Sequence, residues 1–367
     1  MTTEKIAFAN NLRGIAALMV VASHYLINFW TMRPAVSALT LSPEMSEMIM
    51  PTPLIANLLN FGHSYEWGSV GVGIFFIISG FVIPFSLKRH TPKAYIIGRI
   101  KRILPVYIFG FALTLIAIYL TTKFYSTNFN INLKDMVIHF MPGLRDIMQS
   151  RNIDGIVWTL EIEVKFYILC FFIRNLIKSS SLNVFWIPVL ACLVSVLISL
   201  AAKYSPTPTF LMSAQIYLPY FSIMFMGVAL HYLYLRRITN KTCILICSIY
   251  LWVFYFSIKM SIYQSISWTA VNYFYALIIF YACMKTNLLS GSNSFIKFMS
   301  NISYPFYVVH GVAGYCVMRM LADSGLSATS CIAITFFIAI SVSYIIHITI
   351  EKRFMRKTTS EKPIYSN

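Results

Sequence analysis

Charge is what this sequence has least of. Only 11% of its 367 residues are Asp, Glu, Lys or Arg, against about 25% in an ordinary soluble domain. With 58% hydrophobic residues, a water-facing globule is excluded, because no soluble core could hide so much apolar side chain. Acids are scarcer still: 12 against 29 Lys and Arg, which leaves a net charge of +17. There is no nucleic-acid motif and no polar domain to carry one. The basic excess therefore has two readings, anchoring to anionic lipid or binding of a polyanionic ligand. The seven cysteines all fall in apolar stretches, with no CxxC pair and no ligand-like spacing. They read as small buried hydrophobes, and no metal site is expected. A Walker loop, a dinucleotide glycine fingerprint, an HExxH helix and a GxSxG elbow are also missing. Internal repeats and low-complexity tracts are absent too.

What is present is a series of long apolar runs. A bilayer-spanning helix needs about 20 mostly apolar residues. Ten stretches qualify: 12–30, 70–87, 103–122, 156–174, 184–202, 213–235, 243–259, 266–284, 303–321 and 329–350. The first is followed by several more and by no small-residue cleavage site, so it reads as a retained span. The segment 133–148 is too short and charged to span, and reads as a loop or interfacial helix. The fold class is thus all-α, a polytopic membrane protein with about ten transmembrane helices in one domain, 1–367, and no soluble domain. Lys and Arg divide unevenly across this layout. The side opposite the amino terminus takes Arg33, Lys123, Lys134, Arg145, Arg151, Lys203, Lys259 and Arg319. Lys165 sits within a span, and the others, among them Lys5, Lys357 and Lys362, fall on the amino-terminal side. This asymmetry places both termini in the cytoplasm.

Ionisable residues inside spans are costly and mark functional candidates. In LRGIAALMVVASHY, Arg13 opens the first span and His24 lies about 16 Å deeper at the helical rise. An anionic head held by Arg13 could extend a reactive arm to His24, as coenzyme A would, with its phosphates at one end and its thioester at the other. Histidine is well suited to take a proton from an alcohol near neutral pH. Plain anchoring for Arg13 and a satisfied interhelical polar role for His24 are the rival readings. Arg99 and Arg102 in RIKR are spaced i, i+3 and share a helix face, which suits phosphates or merely obeys the topology rule. In FFIISGF, Ser79-Gly80 either permits close helix packing or opens a gap for a ligand arm. In WTLEIEVKFY, Glu161 can pair with Lys165 at i+4. Glu163 has no such local partner and is the candidate to orient a histidine of another helix. Trp158 reads as an interfacial belt residue or a sugar-stacking surface. In ISYPFYVVHG, Pro305 kinks or starts a helix that carries His310. Glu351, near the end, reads as a local ion pair.

Taken in order, these segments resemble the acyltransferase 3 family of membrane acyltransferases. Arg13 and His24 match its Arg, ten residues, His signature; Phe76 and Ser79 match its second-span motif; Arg99 and Arg102 match its Arg-x-x-Arg. Trp158, Thr159, Leu160, Glu163, Phe166 and Tyr167 resemble its W-S-L-x-x-E-x-x-F-Y motif, with Thr159 in place of Ser and Glu161 as an added acid. Ser303, Tyr304, Tyr307, His310 and Glu351 match its carboxy-terminal motifs. The resemblance implies a bacterial inner-membrane enzyme that O-acylates a saccharide or lipid-linked saccharide of O-antigen, capsule or exopolysaccharide type. It implies acetyl-CoA or another acyl-CoA as donor, no permanently bound cofactor, and the family's histidine, here His24, as the catalytic residue. The expected roles follow. Arg13, Arg99 and Arg102 hold the coenzyme A phosphates, with Ser79 and Phe76 beside the arm. Glu163 orients His24, and Trp158, Tyr304 and His310 support the acceptor or the fold. The rival from another class is a transporter or flippase for an anionic lipid or metabolite, which also wants buried Arg, His and Glu.

Overall fold

The computed structural model describes residues 7–47, 50–286, 288–289, 291 and 293–356. The terminal segments, with Lys5, Lys357 and Lys362, lie outside the described residues, and so does the expectation about where the termini sit. The chain is 78% helical, with no strand among the described residues. In chain order the helices that build the site are α1 (Ala7–Thr31), α2 (Trp67–Arg89), α3 (Pro92–Phe124), α4 (Leu133–His139), α5 (Val157–Phe172) and α6 (Trp186–Ala201). They continue as α7 (Thr209–Tyr234), α8 (Asn240–Met260), α9 (Thr269–Thr286), α10 (Ser294–Val309), α11 (Val312–Asp323) and α12 (Ala328–Met355).

Helices α2 and α7 form the centre. In each, 83% of the most apolar window is buried, against 28% in α12. They meet at glycine. A methyl on Gly80 would lie 1.8 Å from the Met224 carbonyl oxygen, and one on Gly227 would lie 2.1 Å from that of Ile77. With no lipid-excluding hydrophobic force between helices in a bilayer, such close backbone approach supplies the van der Waals contact that holds them. Helix α1 packs against α2 and α10, and α9 against α2. On the periphery Leu190, Leu193 and Leu197 of α6 and Phe337 of α12 point outward and exposed, a face that only hydrocarbon can solvate.

Among the described residues, eight helices are long and apolar enough to cross a bilayer. The other two expected spans depart from the simple pattern. Helix α5 has only 16 residues and ends at Phe172; just before it, the Oδ1 of Asp154 accepts the backbone N–H groups of Ile156 and Val157 at 3.0 and 2.9 Å, which fixes the start one residue inside the expected run. The expected span 303–321 is not one helix. Helix α10 begins earlier, capped by Asn293, passes through Pro305, and stops at His310-Gly311, where α11 starts afresh. The break is therefore not at proline. Gly311 passes so close to the 154–156 segment that a methyl there would sit 2.9 Å from the Asp154 carbonyl oxygen. The 133–148 segment forms the short α4 followed by turns.

Candidate active site

A π-helical turn, Ser23–Asn28, interrupts α1 and carries His24 with it. Such one-turn widenings put an extra residue into the helix and re-aim its side chains. The His24 Nδ1 lies 2.9 Å from the Tyr315 hydroxyl of α11, and the two rings stack at 5.5 Å. His310 stands edge-on to His24, with ring centroids 4.9 Å apart. Its Nδ1 donates to the Tyr307 carbonyl at 2.7 Å, while its buried Nε2 has no hydrogen-bond partner among the described residues. His24 faces a chamber shared with Ser23, Asn28, Glu66, Trp158 and Tyr307. Glu66 is the N-cap of α2. It accepts N–H groups of Gly68 and Ser69 at 3.0 and 2.5 Å and the Ser23 hydroxyl.

A second cavity lies deeper along the bundle, lined by Arg13, Ser79, Phe76, Arg102, Glu163 and Tyr304. Here α1, α2, α3, α5 and α10 converge. Glu163 accepts the Ser79 hydroxyl at 2.5 Å and the Tyr167 hydroxyl, and Tyr304 donates to the Ile103 carbonyl at 2.9 Å. Two guanidiniums against one carboxylate leave this cavity cationic, a setting for phosphate or another anion. The two cavities have Val72 and Tyr307 in common. Those two side chains separate the Arg13–Arg102–Glu163 cluster from His24.

The expected pairing of Glu163 with His24 is thus replaced by Ser79 and Tyr167, and Tyr315 takes the imidazole instead. Arg99 and Arg102 also part company. At i, i+3 they lie about 60° apart around the axis, and they straddle Tyr167. Arg102 enters the cavity, whereas Arg99 lines an apolar groove between α3 and α5, with its guanidinium 5.4 Å from the Tyr167 ring centre. Ser79 and Gly80 divide the two readings of their motif: the serine lines the cavity and the glycine meets α7.

The i, i+4 pair expected between Glu161 and Lys165 does not form either. Both reach the 141–150 turn. Arg145 grips Glu161 at 2.6 and 3.0 Å, and Lys165 contacts both Asp146 oxygens at 2.9 Å. A partner fixed by folding outcompetes a helix neighbour here because the pairs are largely buried, and a buried charge needs close, multiple hydrogen bonds. A second clamp is the chain Ile153 N–H to His139 Nε2 at 3.1 Å, His139 Nδ1 to the Tyr107 hydroxyl at 2.7 Å, and that hydroxyl to Asp154 at 3.1 Å. This order assigns neutral His139 its proton on Nδ1. Burial pushes His139 below its ordinary value, with Asp154 opposing. Glu351 finds a local partner one turn back, with His347 Nδ1 at 2.6 Å from its carboxylate. Reading single segments missed Glu66 and Tyr315. Glu66 had a usable signal, an acid just before an apolar helix; Tyr315 had none.

Neither the curated proteins nor the solved structures compared with this chain gave a match. A family model described as an acyltransferase domain matches residues 6–348, a region that holds Arg13, His24, Ser79, Arg102, Glu163 and Tyr307. The chain, with its apolar helices and this domain, is a membrane acyltransferase of the acyltransferase 3 family.

Proposed function

We propose that the enzyme transfers an acyl group, acetyl being the simplest, from cytoplasmic acyl-CoA to a hydroxyl of a cell-surface saccharide, in the bacterial inner membrane. The observation that carries this reading is the pair of abutting cavities. One is cationic and suits the phosphorylated donor. The other holds a histidine and suits an alcohol. Arg13 and Arg102 bind the donor's anionic end, and the pantetheine arm runs past Phe76 and Ser79 toward Tyr307. The thioester carbonyl arrives at the boundary of the His24 chamber.

With Nδ1 held by Tyr315, His24 uses Nε2 as the base. It takes the proton of the acceptor hydroxyl as the oxygen attacks the carbonyl carbon. The carbon–sulfur bond then breaks, and the leaving thiolate takes the proton back from His24 as free coenzyme A. No covalent enzyme intermediate is required. Glu163, hydrogen-bonded to Ser79 and Tyr167, fixes the donor cavity rather than the base. Arg99 steadies Tyr167 from the groove side.

The test is release of coenzyme A from acetyl-CoA by nanodisc-embedded wild type, His24→Ala and Arg102→Ala, with acetyl-CoA binding measured in parallel. Binding without turnover in His24→Ala, and weak binding in Arg102→Ala, support the scheme. A folded wild type that neither binds nor cleaves any acyl-CoA refutes it and directs attention to transport.

A further inference from the structure

A third cavity lies beside the first turns of α5, where α7 begins and α8 has just ended. Thr159, Leu160 and Glu163 of the same turns line the donor cavity, so the third cavity lies on another face of α5 and opens toward the start of α7 at Ser213. Its walls come from Arg145 and Asp146 of the 141–150 turn, Trp158 and Glu161 of α5, Tyr217 of α7 and Tyr263. Its volume is about 760 Å³, mouth included. The proposed chemistry does not use it.

Three features define what it could hold. The first is charge. Arg145 is committed to Glu161, and Asp146 to Lys165, so every charge on the wall is matched. An anion would find no spare cation, unlike the donor cavity. The second is shape chemistry. Flat rings of Trp158, Tyr217 and Tyr263 stand beside planar carboxylate and guanidinium groups. Rings cover the C–H face of a sugar, and the carboxylate lone pairs left over from the ion pairs accept its hydroxyls. The third is continuity. Trp158 lines this cavity and also the His24 chamber.

From these we infer that the third cavity is the acceptor subsite, which takes a neutral, hydroxyl-rich sugar ring beside the start of α7 and presents a hydroxyl to His24 past Trp158. The inference rests on the transferase reading above. The two ion pairs give the subsite its rigidity, since both anchor the turn onto α5.

The test exploits the seven cysteines, all free and buried, which leave a low background for a charged, membrane-impermeant thiosulfonate. Gln149 is exposed at the rim. The Gln149→Cys protein in nanodiscs is labelled with and without methyl glycosides of glucose, galactose, mannose and rhamnose, with a methyl glucuronide as anionic control. At least one neutral glycoside is expected to slow labelling and to raise coenzyme A release, the glucuronide doing neither. Tyr263→Ala is expected to raise that glycoside's half-saturating concentration about tenfold without moving that of acetyl-CoA. Tyr263→Phe keeps the ring and should restore it; size-exclusion elution shows whether either variant is misfolded. If no neutral glycoside protects position 149, or the glucuronide protects equally, the subsite is wrong. Stimulated release without protection also overturns it and leaves the transferase reading standing. Protection in a protein that cleaves no acyl-CoA refutes the transferase reading instead.

Discussion

The hydroxyl of Tyr307 lies 2.6 Å from that of Thr159, and the tyrosine belongs to the walls of both the donor cavity and the His24 chamber. The pair bridges α10 and α5, the two helices that depart from a regular span. A side chain in that position decides how far water and thioester mix.

Removing only the hydroxyl should be mild. Tyr307→Phe forfeits one neutral hydrogen bond, about 0.5–1.5 kcal/mol, so transfer should fall roughly twofold to tenfold. Tyr307→Ala opens the wall. Its ratio of acetyl-CoA hydrolysis to transfer onto an acceptor should rise. An unchanged ratio in a folded Tyr307→Ala protein would show that the ring is not the partition.

Tyr315 acts through His24. Tyr315→Phe leaves the stacked ring and removes the partner of Nδ1, so the imidazole loses its fixed tautomer. We expect a fall in kcat of about tenfold, smaller than the roughly hundredfold or greater loss in His24→Ala, with acetyl-CoA binding unmoved. The check is kcat and KM measured separately for both variants; a change confined to KM would assign Tyr315 to binding.

The two arginines of the RIKR segment should separate. Arg102 faces the donor cavity, and loss of a charge-assisted hydrogen bond there costs about 1.5–3 kcal/mol, so Arg102→Ala should weaken acetyl-CoA binding by about tenfold to a hundredfold. Arg99 faces the groove and touches the donor only through Tyr167, so Arg99→Ala should weaken it severalfold less. Calorimetric titration of the two variants decides. Equal losses would mean that both guanidiniums reach phosphate.

His139 gives the fold a pH dependence of known sign. Burial lowers its pKa below the ordinary 6.5, so the folded protein holds it neutral. As pH falls through that ordinary value, the unfolded chain takes up the proton first. The stabilisation is therefore complete above about 6.5 and is lost progressively below it. Thermal midpoints of wild type should drop more steeply between pH 7 and 5 than those of His139→Gln. Parallel curves would show that His139 is silent.

The helical, membrane-embedded character was legible because composition alone excludes water as the solvent for most of the surface. The Arg13–His24 spacing was legible because both sit on one helix of known rise, and the structure does place them in adjoining cavities. Partners across helices were not. His24 finds Tyr315 across 291 positions of chain, and no local pattern encodes that register. Glu161 and Lys165 show the same limit from the other side. Their spacing is ideal for a helix pair, yet the 141–150 turn brings Arg145 and Asp146 closer. The break at His310-Gly311 was hidden because the flanking residues on both sides are equally apolar, and it is the approach of the 154–156 segment that demands it.

Gly80 and Gly227 bring α2 and α7 into backbone contact, and Ser79, next to Gly80, faces the donor cavity. Those two positions are thus a single joint constraint. A side chain at either one wedges the helices apart, and the width of the cleft beside Ser79 changes with them. A larger cleft at Ser79 therefore does not require a change in any cavity residue. Enlarging one glycine at this crossing would retune the cleft from the neighbouring face of the helix.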